Sequence, residues 1–253
     1  MQRKSRFLLA ISVCFILAAM LSPSVALAKR ATNYGYDWQV WPYYNVDMYD
    51  AAARSAYYQQ LKGYTTMDRD RGLGLNIYTK LAGIDAYNYD IINVISHGGY
   101  FGLAARPKDD YAFKMSCLYQ SSYDWGVHGH SIGVRYETCG GYMRVNTLSS
   151  VPYVKWMVLQ GCDTAYGTTN IASVCCAEGV DTTVGFYDTI YFGGVGTNGK
   201  SIQYNFAARY WKTLYEGGYN SEAMDDGRDQ VLLYNGSYYG YQYHRAYGIN
   251  GKI

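Results

Sequence analysis

Two residues whose side chains can carry out acyl transfer follow short apolar segments of this chain. His97 ends the apolar stretch YDIINVISH, and Cys162 follows the stretch VKWMVLQG. An imidazole beside a cysteine lowers the pKa of the thiol and supplies a base and an acid for attack on a carbonyl carbon. Gly98 leaves its backbone N–H accessible to the oxyanion that such an attack creates. This pair predicts a cysteine hydrolase.

The two apolar segments that precede these residues are typical of buried β-strands. Tyr89 to Ser96 and Val154 to Leu159 are short and rich in branched side chains. Ligands of open α/β sheets bind beyond the carboxyl ends of the strands. If the two strands are parallel neighbours, about 5 Å apart, His97 and Cys162 emerge at the same edge of the sheet. The segment between them is long enough for a crossover connection.

The remaining pattern alternates strands with helices. Such alternation predicts a single α/β domain with a mostly parallel sheet. The predicted elements are a helix from Val46 to Leu61, a strand opening at Gly63 to Thr66, a β-hairpin of Ser131 to Thr138 and Tyr142 to Asn146, a helix from Asn170 to Glu178, a strand from Thr182 to Phe186, and helices from Gly199 to Tyr215 and Ser221 to Leu233.

The first 28 residues have the pattern of a secretory signal peptide. A basic start precedes an apolar run from Phe7 to about Leu21, and Ala26-Leu27-Ala28 offers a cleavage site. No other stretch could cross a bilayer, so we expect a secreted protein without stable membrane insertion. We divide the chain into a signal peptide (1–28), an irregular lead-in with a helix (29–62) and a catalytic domain (63–253). The lead-in up to about Asn45 could cover the site as a pro-segment.

Charge and cysteine content narrow the classes further. Loss of the leader leaves 19 basic and 20 acidic residues, which gives no basic surface for nucleic acid. Five cysteines remain, so an oxidising compartment leaves at least one unpaired thiol. Cys117 and Cys139 could form a disulfide, whereas Cys175 and Cys176 are typical of small buried residues in a helix.

The order of these motifs resembles that of the caspase-like cysteine peptidases. A strand followed by His-Gly, and later a strand followed by a small residue and Cys, is their signature, and the likeness covers roughly Gly63 to Leu233. The sequence CDTA, leading into a helix and then a strand, is most similar to the CHAT and clostripain-like branch. The resemblance implies a three-layer α/β sandwich with a mostly parallel sheet and a β-hairpin insertion. It also implies Cys162 as nucleophile, His97 as base and acid, the backbone amides of Gly98 and Cys162 as oxyanion hole, and no cofactor.

The resemblance also bears on the substrate, a protein or peptide. In several of these peptidases the residue two before the nucleophile lines the pocket for the substrate side chain; here it is Gln160. An acidic residue there accompanies cleavage after Arg or Lys, so Gln160 makes a basic preference less expected. Asp163 is a further candidate for a subsite or for orienting His97. The sequence fixes neither the cut site nor the oligomeric state.

A serine esterase is the alternative enzyme. Gly129-His130-Ser131-Ile132-Gly133 satisfies the G-x-S-x-G motif of α/β-hydrolases, and either Asp225 or Asp226 with His244 could complete a triad. The residues around Ser131 are typical of a hairpin strand, however, and not of the strand–turn–helix that this motif requires.

A binding module without activity is the third hypothesis. The chain has 31 Tyr and 7 Phe, and exposed tyrosines can stack on peptides or glycans. The clusters that could form such a surface are Tyr43-Tyr44 and Tyr238, Tyr239, Tyr241 and Tyr243. His128 and His130 would share one face of a strand, but no further ligand accompanies them, so we predict no metal site.

Overall fold

The computed structural model describes ten ranges of the chain. They are 29–35, 48–70, 89–95, 98–99, 102–103, 114–116, 142–144, 154–168, 170–177 and 179–253. The strands in these ranges are β1 (Arg30–Gly35), β2 (Thr65–Asp70), β3 (Ile91–Ile95), β4 (Gly98–Gly99), β5 (Gly102–Leu103), β6 (Lys114–Ser116), β7 (Tyr142–Arg144), β8 (Trp156–Gln160), β9 (Thr182–Phe186) and β10 (His244–Gly248). The helices are α1 (Met48–Leu61), α2 (Ile171–Ala177), α3 (Ile202–Tyr215) and α4 (Asn220–Asn235).

Six strands form one sheet in the order β10-β9-β8-β3-β1-β2. Every pairing in it is parallel except that of β10, which runs antiparallel to β9 at the edge. The strands β3, β8 and β9 are buried along their whole length, because strands of a parallel sheet are covered on both faces. The sequence prediction of an α/β fold with a mostly parallel sheet is confirmed.

Helices cover both faces of this sheet. Phe186 of β9 packs against Phe206 of α3, with ring centroids 5.4 Å apart. Thr183 of the same strand donates its hydroxyl hydrogen to the backbone carbonyl of Ala172 in α2 at 2.7 Å. Residues an odd number of positions apart on a strand point to opposite faces. Therefore α3, with α1 and α4 packed beside it, lies on one face and α2 lies on the other.

The spacing of the apolar side chains explains how α3 meets the sheet. Ile202, Phe206, Tyr210 and Leu214 recur every fourth residue and are all buried. The helix begins at Ser201, whose side chain accepts a hydrogen bond from the backbone N–H of Tyr204. The four predicted helices are confirmed as α1 to α4, and the predicted strands outside the β-hairpin are confirmed as β2, β3, β8 and β9.

The strand β1 corrects one expectation. Residues 29 to 46 were predicted to be irregular, but Arg30–Gly35 pairs with β3 on one side and with β2 on the other. Residues 31–35 are buried. Removal of residues 29–45 as a pro-segment would therefore take an interior strand out of the sheet, and the structure argues against that hypothesis.

The polar composition of β1 is not typical of a buried strand, but its Asn33 side chain forms hydrogen bonds with other polar side chains inside the protein. The Asn33 amide nitrogen donates to Gln59 Oε1 at 2.6 Å, and Asn33 Oδ1 accepts from Gln59 Nε2 at 3.1 Å and from Asn93 Nδ2 at 2.9 Å. All three side chains are buried. This network joins β1, β3 and α1, and among the described residues it leaves the buried Asn93 Oδ1 without a hydrogen-bond partner.

We expect Asn33→Ala to lower the free energy of unfolding by about 2–4 kcal/mol, because Gln59 and Asn93 would keep buried amide groups without partners. Urea denaturation followed by circular dichroism measures the change. Asn250→Ala is the matched control, since Asn250 makes its side-chain hydrogen bonds to Ser221 at the surface. Equal losses in the two variants would contradict the role of the buried network.

The predicted β-hairpin falls mainly outside the described residues. Of its two strands, the structure describes Tyr142–Arg144, which pairs in parallel with Lys114–Ser116. The hairpin therefore stays a prediction. Within the described ranges, none of the helices combines the length and the apolar character that crossing a lipid bilayer requires.

Candidate active site

The strands that precede the two predicted catalytic residues are direct neighbours. They run parallel, and Ile95 at the end of β3 pairs with Gln160 at the end of β8. The two strands therefore meet the condition under which residues after their carboxyl ends emerge at the same edge of the sheet. Cys162 follows Gln160 by two positions, and position 97 follows Ile95 by two. His97 itself lies outside the described residues, so its side-chain position stays a prediction.

The backbone after position 97 forms a narrow antiparallel pair. Gly98 pairs with Leu103, and Gly99 pairs with Gly102. Gly98 therefore lies in a short two-stranded sheet that follows β3 in the chain. Its contribution of a backbone N–H to an oxyanion hole stays a prediction.

Thr164 fixes the turn that carries Cys162. Its buried hydroxyl donates to the carbonyls of Leu159 and Gly161 at 2.9 and 3.0 Å and accepts from the backbone N–H of Phe186 at 3.0 Å. The N–H of Ala165 donates to the carbonyl of Phe186 at 2.8 Å. The turn after β8 is thus tied to the end of β9. This gives a physical reason for the Thr-Ala of the CDTA motif.

The close approach of this turn also requires a glycine in β9. A Cβ placed on Gly185 would lie 2.9 Å from Thr164 Oγ1 and 3.1 Å from Ala165 Cβ. Any side chain at position 185 would push the turn away from the sheet. Gly185 thus allows the turn that carries Cys162 to pack against β9, and no sequence pattern pointed to this role.

Cys162 is half-buried and contacts the loop that follows β9. Its Sγ donates to the backbone carbonyl of Ile190 at 3.2 Å. A hydrogen bond of this kind stabilises the neutral thiol, because a thiolate has no hydrogen to donate and would face a carbonyl oxygen. No sequence pattern pointed to Ile190, since the contact joins segments far apart in the chain.

Gln160 lies below the site, in the core. It is 1% exposed, and its amide nitrogen donates to the Tyr241 hydroxyl at 2.7 Å and to the Gln203 carbonyl at 3.4 Å. In this structure Gln160 has no surface to offer to a substrate. It instead joins the end of β8 to the segment before β10.

Tyr241 shows how near this buried network lies to the thiol. Burial raises the pKa of the Tyr241 phenol, the hydrogen bond from Gln160 opposes the rise, and the charge of an ionised Cys162 adds to it. Tyr241 was one of the tyrosines predicted for a surface cluster. It is fully buried, so that part of the expectation is wrong, whereas Tyr239 keeps 36% of its surface exposed.

Asp163 places a carboxyl group beside Cys162. Its backbone φ is +56°, a left-handed conformation that Asp tolerates better than most residues. Burial, and then the charge of Asp188, raise the pKa of the Asp163 carboxyl. The Asp163 N–H donates to the Asp188 carbonyl at 3.3 Å. Asp163 and Asp188 thus bring two carboxyl groups close to each other beside Cys162, and a role for Asp163 in a subsite or in orienting His97 stays a prediction.

Of the two acidic residues proposed for the alternative triad, the structure places Asp225 near His244 and Asp226 elsewhere. Asp225 Oδ1 lies 3.6 Å from His244 Nε2, whereas Asp226 accepts hydrogen bonds from Arg209 and Thr213 at 2.7 and 2.6 Å. Burial is the main cause that lowers the pKa of His244, and Asp225 opposes it. Ser131 lies outside the described residues.

The other two cysteines that the structure describes are neighbours in α2. Cys175 is buried in α2, as predicted, and Cys176 beside it is half-buried. Cys117, Cys139, His128 and His130 lie outside the described residues. Among the residues that are described, no three His, Cys, Asp or Glu side chains cluster as metal ligands.

Neither a scan against models of protein families nor a search among curated proteins gives a match.

Proposed function

We propose that this protein is a cysteine endopeptidase that uses Cys162 as nucleophile and His97 as general base and acid. The observation that supports this most directly is the register of β3 and β8, whose carboxyl ends pair at Ile95 and Gln160. We expect residues two positions beyond those ends to meet at one edge of the sheet, where ligands of α/β folds bind. The tight Thr164 turn gives the nucleophile a defined position.

The first half of the reaction forms a thioester. His97 takes the proton from Cys162 Sγ, and the sulfur attacks the carbonyl carbon of the scissile amide. The carbonyl oxygen becomes an oxyanion, which the backbone N–H groups of Gly98 and Cys162 stabilise. Collapse of this intermediate breaks the C–N bond, and His97 gives its proton to the leaving amine.

The second half releases the acyl group. His97 takes a proton from water, and the oxygen attacks the thioester carbonyl carbon through a second oxyanion. Collapse expels the Cys162 sulfur, which regains its proton from His97. The products are a carboxylic acid and an amine, and neither half of the reaction requires a cofactor.

The Ile190 contact assigns a resting form to the nucleophile. While Sγ donates to the Ile190 carbonyl, the thiol is held neutral. Transfer of the proton to His97 requires this hydrogen bond to break, because the thiolate that results has no hydrogen to donate.

Three further expectations belong to the same proposal. The α/β sheet is the centre of a caspase-like three-layer sandwich, and the segment around residues 131–146 is its hairpin insertion. The substrates are proteins or peptides outside the cytoplasm. Residues 1–28 direct the chain there and are removed. Mass spectrometry of the exported protein should find Lys29 as the first residue.

The alkylation rate of each cysteine as a function of pH tests the dyad without any choice of substrate. We expect iodoacetamide to modify Cys162 well below pH 8.5, the approximate pKa of an unperturbed thiol. In His97→Ala the rate should fall by about tenfold or more near pH 7, because the cation that stabilises the thiolate is gone. Peptide mass spectrometry assigns the modified residue.

His244→Gln is the control for that experiment. It also removes an imidazole, but one that the structure places beside Asp225 and that the proposed dyad does not use. It should leave the rate at Cys162 close to that of the wild type. If Cys162 is inert, or indifferent to His97, the peptidase proposal fails.

The serine esterase is the second candidate because Asp225 lies near His244. Asp225 Oδ1 is 3.6 Å from His244 Nε2, beyond hydrogen-bond distance, and the same oxygen accepts a hydrogen bond from Arg228 at 2.7 Å. Ser131 would then be the nucleophile. Labelling with a fluorophosphonate, and its loss in Ser131→Ala but not in Cys162→Ala, would support the esterase and exclude the cysteine mechanism.

A further inference from the structure

Two tyrosine pairs continue the β9–β10 pairing beyond the sheet. The N–H of Tyr187 donates to the carbonyl of Tyr243 at 2.8 Å, and the N–H of Tyr191 donates to the carbonyl of Tyr239 at 3.0 Å. The side chains pair in the same way. The rings of Tyr187 and Tyr243 lie 5.5 Å apart and those of Tyr191 and Tyr239 lie 6.2 Å apart, both edge to face. These contacts hold the rings in fixed orientations.

The outer pair, which we call the tyrosine ledge (Tyr191 and Tyr239), adjoins the residue that Cys162 contacts. Cys162 Sγ contacts the carbonyl of Ile190, and Tyr191 is the next residue. Tyr191 is 60% exposed and Tyr239 is 36% exposed. An exposed aromatic ring therefore lies one residue along the chain from the carbonyl group that the Cys162 thiol contacts.

Backbone conformation singles out the same place. In the described ranges the non-glycine residues with positive φ are Asp163, at +56°, and Tyr239, at +49°. A bulky side chain is disfavoured in this conformation, and such residues concentrate at ligand sites. Asp163 adjoins Cys162, and Tyr239 belongs to the ledge. A glycine at position 239 would relieve the strain but would remove the exposed ring.

The next residue, Gly240, also has a left-handed backbone, but there a separate steric reason requires glycine. Gly240 has φ of +88°, and a Cβ on it would lie 2.0 Å from the Thr189 carbonyl oxygen. The chain therefore uses glycine where two backbones touch. At position 239 it keeps tyrosine, although the backbone there is also left-handed.

We propose that the tyrosine ledge is a substrate subsite that takes an aromatic side chain of the polypeptide being cleaved. This rests on the proposed function. Aromatic rings pair edge to face or offset, with centroids about 4.5–7 Å apart, and the ledge offers both a face and an edge. A polypeptide is the occupant because a thiolate attacks a carbonyl carbon, which a glycosidic bond does not have. Asp163 and Asp188 disfavour acidic side chains beside it.

Protection of Cys162 from iodoacetamide tests the subsite without cleavage. We expect N-acetyl-L-phenylalaninamide to slow the alkylation of Cys162 more than N-acetyl-L-alaninamide does at equal concentration, by roughly two- to tenfold. In Tyr239→Gly and Tyr191→Ala the ratio of the two effects should fall toward one. Tyr191→Phe should keep it, because the ring remains.

Tyr57→Ala is the matched control. Tyr57 is 45% exposed and forms an edge-to-face pair with Tyr58 on α1, so its loss should leave the ratio unchanged. Thermal unfolding should show that Tyr239→Gly is folded, since glycine suits the backbone at this position.

The outcomes separate the subsite from the peptidase. Protection by the phenylalanine amide in a protein that cleaves no peptide would keep the subsite and reject the proposed function. Cleavage of a positional peptide library with no aromatic preference, together with equal protection by both amides, would overturn the subsite alone. Protection by chitohexaose and by neither amide would assign the ledge to a carbohydrate and also overturn the proposal.

Discussion

Replacement of Cys162 by alanine is expected to lower the rate of peptide cleavage by at least about a thousandfold, because the proposed mechanism takes its nucleophile from this side chain. The fold should be unaffected. The Cys162 side chain is only half-buried, and its hydrogen bond to Ile190 is a weak one from sulfur. Initial rates on a quenched fluorescent peptide library, with equal concentrations of folded protein, measure the effect.

Cys176→Ala is the control for this substitution. Cys176 is a second half-buried cysteine, in α2 on one face of the sheet, and burial raises the pKa of its thiol above the ordinary value. It should react slowly with alkylating agents, and its loss should leave cleavage unchanged. Wild-type activity in Cys162→Ala would reject the mechanism and direct attention to Ser131.

Substitution of Thr164 by valine is expected to remove both stability and activity. Valine has nearly the same shape but no hydroxyl, so the Phe186 N–H and the carbonyls of Leu159 and Gly161 lose their shared partner. We expect the free energy of unfolding to fall by about 2–4 kcal/mol, since buried polar groups without partners are costly. Guanidinium denaturation gives this value.

The effect of Thr164→Val on cleavage should be larger than unfolding explains. The turn that holds Cys162 would no longer be tied to β9, and misplacement of a reacting group by about 1 Å can cost roughly a hundredfold in rate. Thr164→Ser keeps the hydroxyl and should restore most of the activity at a moderate cost in stability. If valine lowers stability but leaves kcat unchanged in the folded fraction, Thr164 is structural and does not position the nucleophile.

The sequence alone predicted the elements whose patterns depend on neighbours in the chain. The apolar runs at 91–95, 156–160 and 182–186 have the composition of buried parallel strands. The predicted helix from Gly199 to Tyr215 corresponds to α3. Because these patterns report burial directly, the mostly parallel α/β sheet followed from them.

The strands β1 and β10 escaped prediction for a different reason. In β1 the sequence RATNYG has the polar composition of a surface segment, and its burial depends on Gln59 and Asn93, which come later in the chain. In β10 the sequence HRAYG is short and only partly buried. Its pairing with β9 is what makes it a strand.

Residue types and spacing determined that Cys162 follows a buried strand and that His97 follows another. Only the tertiary structure decided that those strands are neighbours in register, that Ile190 accepts the hydrogen bond of the thiol, and that Gln160 faces Tyr241 in the core. It also brought Tyr191 beside Tyr239. These contacts join residues about 30 to 80 positions apart along the chain, and local patterns carry no information on such pairs because side-chain packing selects them only when the sheet is assembled.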